Sequence, residues 1–360
     1  GRPVIRGLGG DRILVLEDGQ RTGDMSSMSS DHAVASEPLT ARQIEVVRGP
    51  MSLMYGSSAL GGVVNLIRDE IPTTSSDERH GMLSFQAASV NDGVTGGGFL
   101  TSGAGPLSLR LEGSARAYAN LATPSGSVAN TGGRTWDVAL GVGLPGEHAH
   151  AGASYRYYNN DYGIPGGFVG GHATGVDISM RRHALHWQGE LHREESFVSS
   201  LKLDGGLTRY RHTELEPSGA VGTTFDQDLF QAQTVATHGP RGALREGALG
   251  LSGQYRDIRT GGSLRTPSTW DYALAAFAVE EMGPEVLRFQ LGVRYDHAQY
   301  EPRDTTSFVT AGGQRVPVRP RAFGSVSGSA GLLWTASDIL RFGASVARAY
   351  RTPDFNELYS

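Results

Sequence analysis

Ile44-Glu45-Val46-Val47-Arg48-Gly49-Pro50-Met51-Ser52-Leu53-Met54-Tyr55-Gly56-Ser57-Ser58-Ala59-Leu60-Gly61-Gly62-Val63-Val64-Asn65-Leu66-Ile67 reads, in strict order, as a strand, a Gly-Pro turn, one helical turn, a glycine and serine crossing and a second strand. Residues 44–47 are rich in β-branched side chains, the composition of a strand. Gly49-Pro50 stops it, because proline has no N–H to donate to a ladder, so the strand ends at Arg48. Gly56, Gly61 and Gly62 permit backbone angles or close approaches that a side chain would forbid, and residues 63–67 resume as a strand. Upstream, Ile13-Leu14-Val15-Leu16 leads into Asp18-Gly19, a common hairpin-turn pair. Residues 1–70 thus read as a small mixed α/β unit.

Composition narrows the setting. The chain has 360 residues but only 38% are hydrophobic, and no stretch approaches the roughly 18 apolar residues of a membrane helix. Helical membrane spans are excluded. Glycine is abundant, 51 residues or about twice the usual share, which suits turn-rich β-structure. Cysteine is absent, which fits a compartment where a free thiol is at risk. The formal charge is -5 and the Lys and Arg residues are scattered without aromatic interleaving, so a nucleic-acid partner has no electrostatic support. There is no Gly-x-Ser-x-Gly elbow, no His-Glu-x-x-His helix and no phosphate-binding loop, so no enzyme is expected. Gly7-Leu8-Gly9-Gly10 lacks a following lysine and helix and reads as a turn.

From His80 onward the pattern changes to segments of alternating polarity. In Leu107-Ser108-Leu109-Arg110-Leu111-Glu112 the odd positions are apolar and the even ones polar, and Phe289, Leu291, Val293 and Tyr295 share one face of a second such run. One face meets something oily and the other something wet. The links near 102–106, 144–148, 193–196, 239–242, 282–285 and 335–338 are brief, whereas 119–133, 159–180, 213–224, 260–269 and 301–320 are long. Short and long alternate along the chain, the habit of a transmembrane barrel with short turns on one rim and longer loops on the other. The first link on the long side, 89–93, is short. About thirteen strands are expected, the last over residues 339–350.

The opening signature resembles the plug domain of a TonB-dependent outer-membrane receptor. The resemblance implies an α/β plug, of which residues 1–75 are the C-terminal part, followed by an antiparallel transmembrane β-barrel, of which residues 76–360 are the N-terminal part. Receptors of this family close with about twenty-two strands around a plug. It implies that the signal peptide, the TonB-binding segment and the first plug strands lie upstream, and that the remaining strands lie downstream. An open sheet exposes unpaired backbone in lipid, so the 360 residues are not expected to form a stable barrel alone. The partners implied are TonB of the TonB-ExbB-ExbD complex, outer-membrane lipid and a metal ion or metal chelate, with the full-length receptor a monomer in the bacterial outer membrane. Arg351-Thr352-Pro353-Asp354-Phe355-Asn356-Glu357-Leu358-Tyr359-Ser360 resembles a motif at the outer end of a mid-barrel strand in that family.

A second resemblance concerns cargo. Arg21-Thr22-Gly23-Asp24 followed by Ser30-Asp31-His32-Ala33 is similar to the zinc-uptake branch, in which an Asp-His pair at the plug apex binds the metal. This maps onto Asp31 and His32, and imidazole with carboxylate is a sound zinc donor pair. Two ligands are too few for tight binding, so wall residues should complete the set. On the strand around 182–192, Leu185, Trp187 and Leu191 form the apolar face, which leaves His186, Gln188 and Glu190 toward the lumen and makes His186 the candidate barrel ligand. His172 and Asp177, in the loop 159–180, offer a first capture point. The histidine-rich external stretch frequent in that branch is reduced here to His172 within residues 162–172. No resident cofactor is expected, the metal being cargo. Another divalent metal, a ferric siderophore, a cobalamin-type chelate, an organic nutrient, and surface binding or adhesion without transport all remain open. Glu45 and Arg48 are expected to pair within the plug or with charges on the wall.

Overall fold

The computed structural model describes residues 2–28, 32–48, 52–74, 79–167, 174–193, 196–264, 266–306, 308–311 and 314–359. The N-terminal unit is a four-stranded mixed sheet of β1 (Ile13–Glu17), β2 (Gln20–Arg21), β3 (Gln43–Arg48) and β4 (Gly62–Ile67), in the order β2-β1-β4-β3. β1 and β4 run parallel, and the other two pairings are antiparallel. Ile13, Leu14, Val15 and Leu16 are all buried, as a continuous apolar run in a strand covered on both faces should be. Asp18 (φ 46°) and Gly19 (φ 81°) form the turn into β2, the two positive angles of a tight hairpin turn. The single helical turn α1 (Ser52–Tyr55) lies between β3 and β4. Gly62, at φ 151°, brings its Cα against the Val47 carbonyl where a Cβ would collide.

The second unit is a thirteen-stranded antiparallel sheet in which each strand pairs with the next in sequence. It runs from β5 (His80–Ala88), β6 (Gly93–Ala104) and β7 (Leu107–Tyr118) through Gly133–Leu144, Ala149–Ile164, Val176–His192, Val198–Leu215, Val221–His238, Leu244–Gly262, Thr269–Met282, Leu287–Pro302 and Arg321–Ser337 to Leu340–Arg348. Its two end strands do not pair with each other, so the described sheet is an arc that wraps the plug.

Burial along the arc is inverted relative to a water-soluble sandwich. On β7, Leu109 and Leu111 are exposed while Ser108, Arg110, Glu112 and Ser114 between them are buried. On Leu287–Pro302, Phe289, Leu291, Val293 and Tyr295 are exposed and Arg294 is buried. On these strands the apolar face points away from the protein and the polar face is turned toward the plug, whereas the end strands His80–Ala88 and Leu340–Arg348 are exposed along nearly their whole length.

Links at one rim span 105–106, 145–148, 193–197, 239–243, 283–286 and 338–339; those at the other span 89–92, 119–132, 165–175, 216–220, 263–268 and 303–320. The second set is shorter than its sequence suggests, because polar residues there continue the ladder. The ladder runs on through Thr213–Thr224 and Glu214–Thr223, inside the span expected as loop, and the cross-strand pairs Arg211–Asp226 at 2.6 Å and Arg209–Asp228 at 2.8 Å brace the strands just before it. Beneath this long-link rim an apolar layer packs the plug against the wall, built from Met25, Ala35, Tyr158, Met180, Tyr210, Phe225 and their neighbours. Phe355 and Tyr359, from the helical turn Phe355–Tyr359 at the chain's end, join it.

β3 meets expectation at Glu45 and departs from it at Arg48. It is the edge of the plug sheet, with Ile44 51% and Val46 54% exposed. Glu45 accepts a hydrogen bond from Asn65 at 3.3 Å within the plug, and Arg48 is exposed with no ion pair among the described residues. Neither ties the plug to this wall, because the wall covers the opposite edge of the sheet.

Candidate functional site

Plug and wall meet through two polar constellations of different chemistry. The first is a lattice of fixed charges. Arg68, wholly buried just after β4, donates to Glu17 at 3.0 Å, to Glu112 of the wall at 3.0 Å, to Thr40 at 3.0 Å and to the Glu37 carbonyl at 2.6 Å. Arg156 of the wall donates to Glu70 of the plug at 2.6 Å and to Glu112 at 2.6 Å, and pairs with Asp137. Arg182 reaches Glu17 from a fourth wall strand. Burial alone would raise the Glu17 carboxyl, but the guanidinium groups of Arg182, Arg68 and Arg156 outweigh it and hold the group well below the usual carboxylate range.

Below this lattice the plug's exit segment lies directly on wall backbone. A Cβ on Gly141 or Gly143 would fall inside contact distance of the Glu70 and Pro72 carbonyl oxygens. Glycine there lets main chain rest on main chain.

The second constellation sits at the long-link rim. His32, from the plug loop that follows β2, has its Nδ1 3.1 Å from the Met25 carbonyl and its Nε2 3.2 Å from Glu214 of the wall. His212 Nε2 lies 3.7 Å from the same Glu214 oxygen, and its Nδ1 is 3.0 Å from the Tyr210 hydroxyl. The two imidazole centroids are 4.3 Å apart, and the Phe225 ring closes the group at 5.5 Å from His32. His32, His212 and Glu214 are all buried, and one ligand atom from each lies within 4.8 Å of the others. Two imidazoles and a carboxylate at this spacing form a donor set for a borderline divalent metal.

Of the residues expected from sequence, His32 is in this cluster. His186 lies on the inner face of Val176–His192, with Nε2 3.3 Å from Asp204 and away from His32. Asp177 is exposed on the outer face of the same strand, since its parity is opposite to that of Ile178, Met180 and Arg182. Asp31 and His172 lie outside the described residues. The polar run from 213 reads as loop and hides Glu214, and His212 carries no sequence signal of its own; continuing the alternation puts Tyr210, His212 and Glu214 on one face.

Beside the cluster, a cavity of about 210 Å³ separates the plug from strands 221–302. Its lining includes Arg21, Arg256, Arg294, Asp11, Asp271 and Asp296. Arg256 pairs with Asp271 at 2.9 Å and Arg294 with Asp296 at 2.9 Å. Arg21 donates to the Ser57 carbonyl at 2.8 Å, and burial together with Arg256 and Arg294 pushes its guanidinium down to about 10.

Comparison with known proteins agrees with this architecture. Residues 73–360 match the family described as TonB dependent receptor-like, beta-barrel, and residues 1–63 match the TonB-dependent Receptor Plug Domain. The chain is 46% identical over 69 residues to the iron-regulated outer membrane virulence protein of Vibrio cholerae, covering 18% of this chain and 11% of that one. It is 45% identical over 62 residues to a hemin receptor of Yersinia pestis, covering 17% of this chain and 9% of the relative. Among solved structures, the copper transporter OprC superposes with a TM-score of 0.82 at 18% identity, over 100% of this chain and 58% of that one. The FrpB iron transporter from Neisseria meningitidis gives 0.75 at 13% identity, over 98% and 59%. The chain thus spans under two thirds of these structures, and at such identities they speak for the fold alone. A plug sheet inside an arc that is apolar outside and polar inside, matched over nearly its whole length, makes this chain a member of the TonB-dependent receptors of the bacterial outer membrane.

Proposed function

We propose that the receptor imports a metal, as the ion or as a chelate, across the outer membrane, with the long-link rim facing outward and the apolar outer face in lipid. The observation that carries this reading is the buried cluster of His32, His212 and Glu214, shared between plug apex and wall. The plug supplies one ligand and the wall two, so any displacement of the plug pulls the donor set apart and releases the cargo. TonB of the TonB-ExbB-ExbD complex is the partner that would do the pulling, with the intact receptor working as a monomer. The receptor itself makes and breaks no covalent bond.

Ion and chelate differ in what the protein must touch. A bare ion needs donor atoms from the protein, and the donor set here accepts zinc, copper(II) and iron(II) alike. A chelate supplies its own donors and needs room. The cavity beside the cluster, about 210 Å³, is below the ~300–1,000 Å³ of sites that enclose drug-sized ligands. The chelate reading is supported by the similarity to receptors whose names carry iron and hemin, and it would place the cargo above the apex. Zinc, suggested by Asp31-His32, is one candidate within the ion reading.

Titration of the intact receptor in detergent with Zn2+, Cu2+, a ferric siderophore and hemin separates the readings. Binding of a bare ion that is lost in His32→Ala and Glu214→Gln supports the apex ion site. Binding of a ferric siderophore or hemin that survives both substitutions assigns the cargo to the chelate class and the cluster to docking the plug. Metal-limited growth unchanged in a strain lacking the receptor would remove import altogether.

A further inference from the structure

A second imidazole and carboxylate cluster lies at the other end of the same wall. His150 is directly opposite Glu190 in the antiparallel register, and His192 follows Glu190 by two residues. Side chains two apart on a strand, and those directly across from each other, share a face. That face is the inner one: His150 has the parity of Ser154 and Arg156, which bond Glu70 of the plug, and Glu190 and His192 have the parity of Arg182, which bonds Glu17. All three sit beside the turns 145–148 and 193–197, at the rim opposite the apex cluster.

The donor atoms converge without bonding one another. His150 Nε2 is 3.9 Å and His192 Nε2 is 3.6 Å from the two oxygens of Glu190. Both separations exceed a hydrogen bond. They approach the ~3.4 Å edge of a tetrahedron drawn with metal–ligand bonds of about 2.1 Å. The group is only partly covered, with His150 16% and His192 46% exposed, so a cation and its remaining water can enter from the rim.

Its position gives it meaning. Glu214 and His212 of the apex cluster pair with Ile178 and Met180 of the strand Val176–His192, whose lower end carries Glu190 and His192. His186, bonded to Asp204, stands between them on the same face. A small cavity lined by Glu17, Asp18, Gln20, Glu70, Arg182 and His186 opens there between plug and wall. Directly above His150, the plug's Ile71 packs against Gly152.

We propose that His150, Glu190 and His192 form an exit-side binding site for a borderline divalent cation such as Zn2+ or Cu2+. The site holds the ion weakly, with solvent completing its shell, as the ion leaves the plug. Metal binding at this rim stands independently of the apex; the exit role rests on the import reading above.

Zn2+ is titrated into the intact receptor in detergent, in wild type, in Glu214→Gln, and in a His150→Ala and His192→Ala double variant. The expected result is one weak Zn2+ equivalent that persists in Glu214→Gln and disappears in the double variant, whose circular dichroism and thermal transition stay unchanged. Cu2+ electron paramagnetic resonance of Glu214→Gln should show coupling to two imidazole nitrogens, reduced to one in His192→Gln. If the double variant keeps the same Zn2+ stoichiometry, or the Cu2+ spectrum shows no imidazole coupling, the site is overturned. A wild type that binds only the rim equivalent, with no further Zn2+ sensitive to Glu214→Gln, would refute the apex ion reading and leave this site standing.

Discussion

The arginine lattice and the apex cluster both fasten the plug to the wall, yet they are built for opposite ends. Arg68, Arg156 and Arg182 donate in the fixed planar directions of a guanidinium to Glu17, Glu70, Glu112 and Asp137. His32, His212 and Glu214 set two imidazole nitrogens beside one carboxylate, the donor set on which the proposed metal site rests. On the proposed function, one constellation seats the plug and the other holds the cargo. Their separation along the wall lets the second loosen without the first.

Replacing the centre of the lattice tests this most severely. Arg156→Met leaves Glu70, Glu112 and Asp137 without their shared partner, and stranding buried carboxylates costs about 3–5 kcal/mol. Amide exchange in β1 and β4 should rise steeply in this variant, while Zn2+ or Cu2+ affinity of the molecules that remain folded is unchanged. Protection equal to wild type would show that the lattice does not seat the plug.

Glu214→Gln should act in the reverse sense. Metal affinity should fall by more than the ~10–100-fold typical of losing an outer-shell partner, with β1 and β4 protection close to wild type. Equal loss of protection in the two variants would erase the distinction between anchor and site.

Gly141→Ala probes the contact below both. A methyl group there meets the Glu70 carbonyl, and overpacking of this kind costs about 1–3 kcal/mol. Faster proteolysis of the segment between plug and barrel, with metal affinity retained, is the expected readout.

Acidification gives the mildest contrast. Glu17 is held below its ordinary value of 4.5, so its contribution is complete above that value and is lost only as the pH falls through the lower folded value. Between pH 8 and 5 the contribution of Glu17 to seating the plug should therefore stay constant. Metal binding at the apex should weaken over the same range, by up to about tenfold per pH unit for each imidazole that must shed a proton. Parallel exchange and titration measurements across that range check both halves.

Much of this was legible in the chain. The alternation of Leu109 and Leu111 with Arg110 and Glu112 marks both faces of the wall, because strand side chains alternate whatever they meet. Gly49-Pro50 and Asp18-Gly19 punctuate the plug where the backbone needs them. At residue 213 polar composition suggests loop, but the ladder continues through Thr213–Thr224 and Glu214–Thr223. Glu45 and Arg48, conspicuous as charges on a plug strand, lie on an edge this wall does not cover, whereas Arg68 and Glu17 carry the attachment.

The sequence by itself determined the elements, their order and which side chains share a face, since these follow from local sterics and the period of two. Only the tertiary structure decided which faces meet. His32 and Glu214 are 182 residues apart, and their 3.2 Å approach depends on how deeply the plug sits and on the register of six intervening wall strands. Alternation specifies the direction a ligand points, and register with docking depth specifies what it finds there.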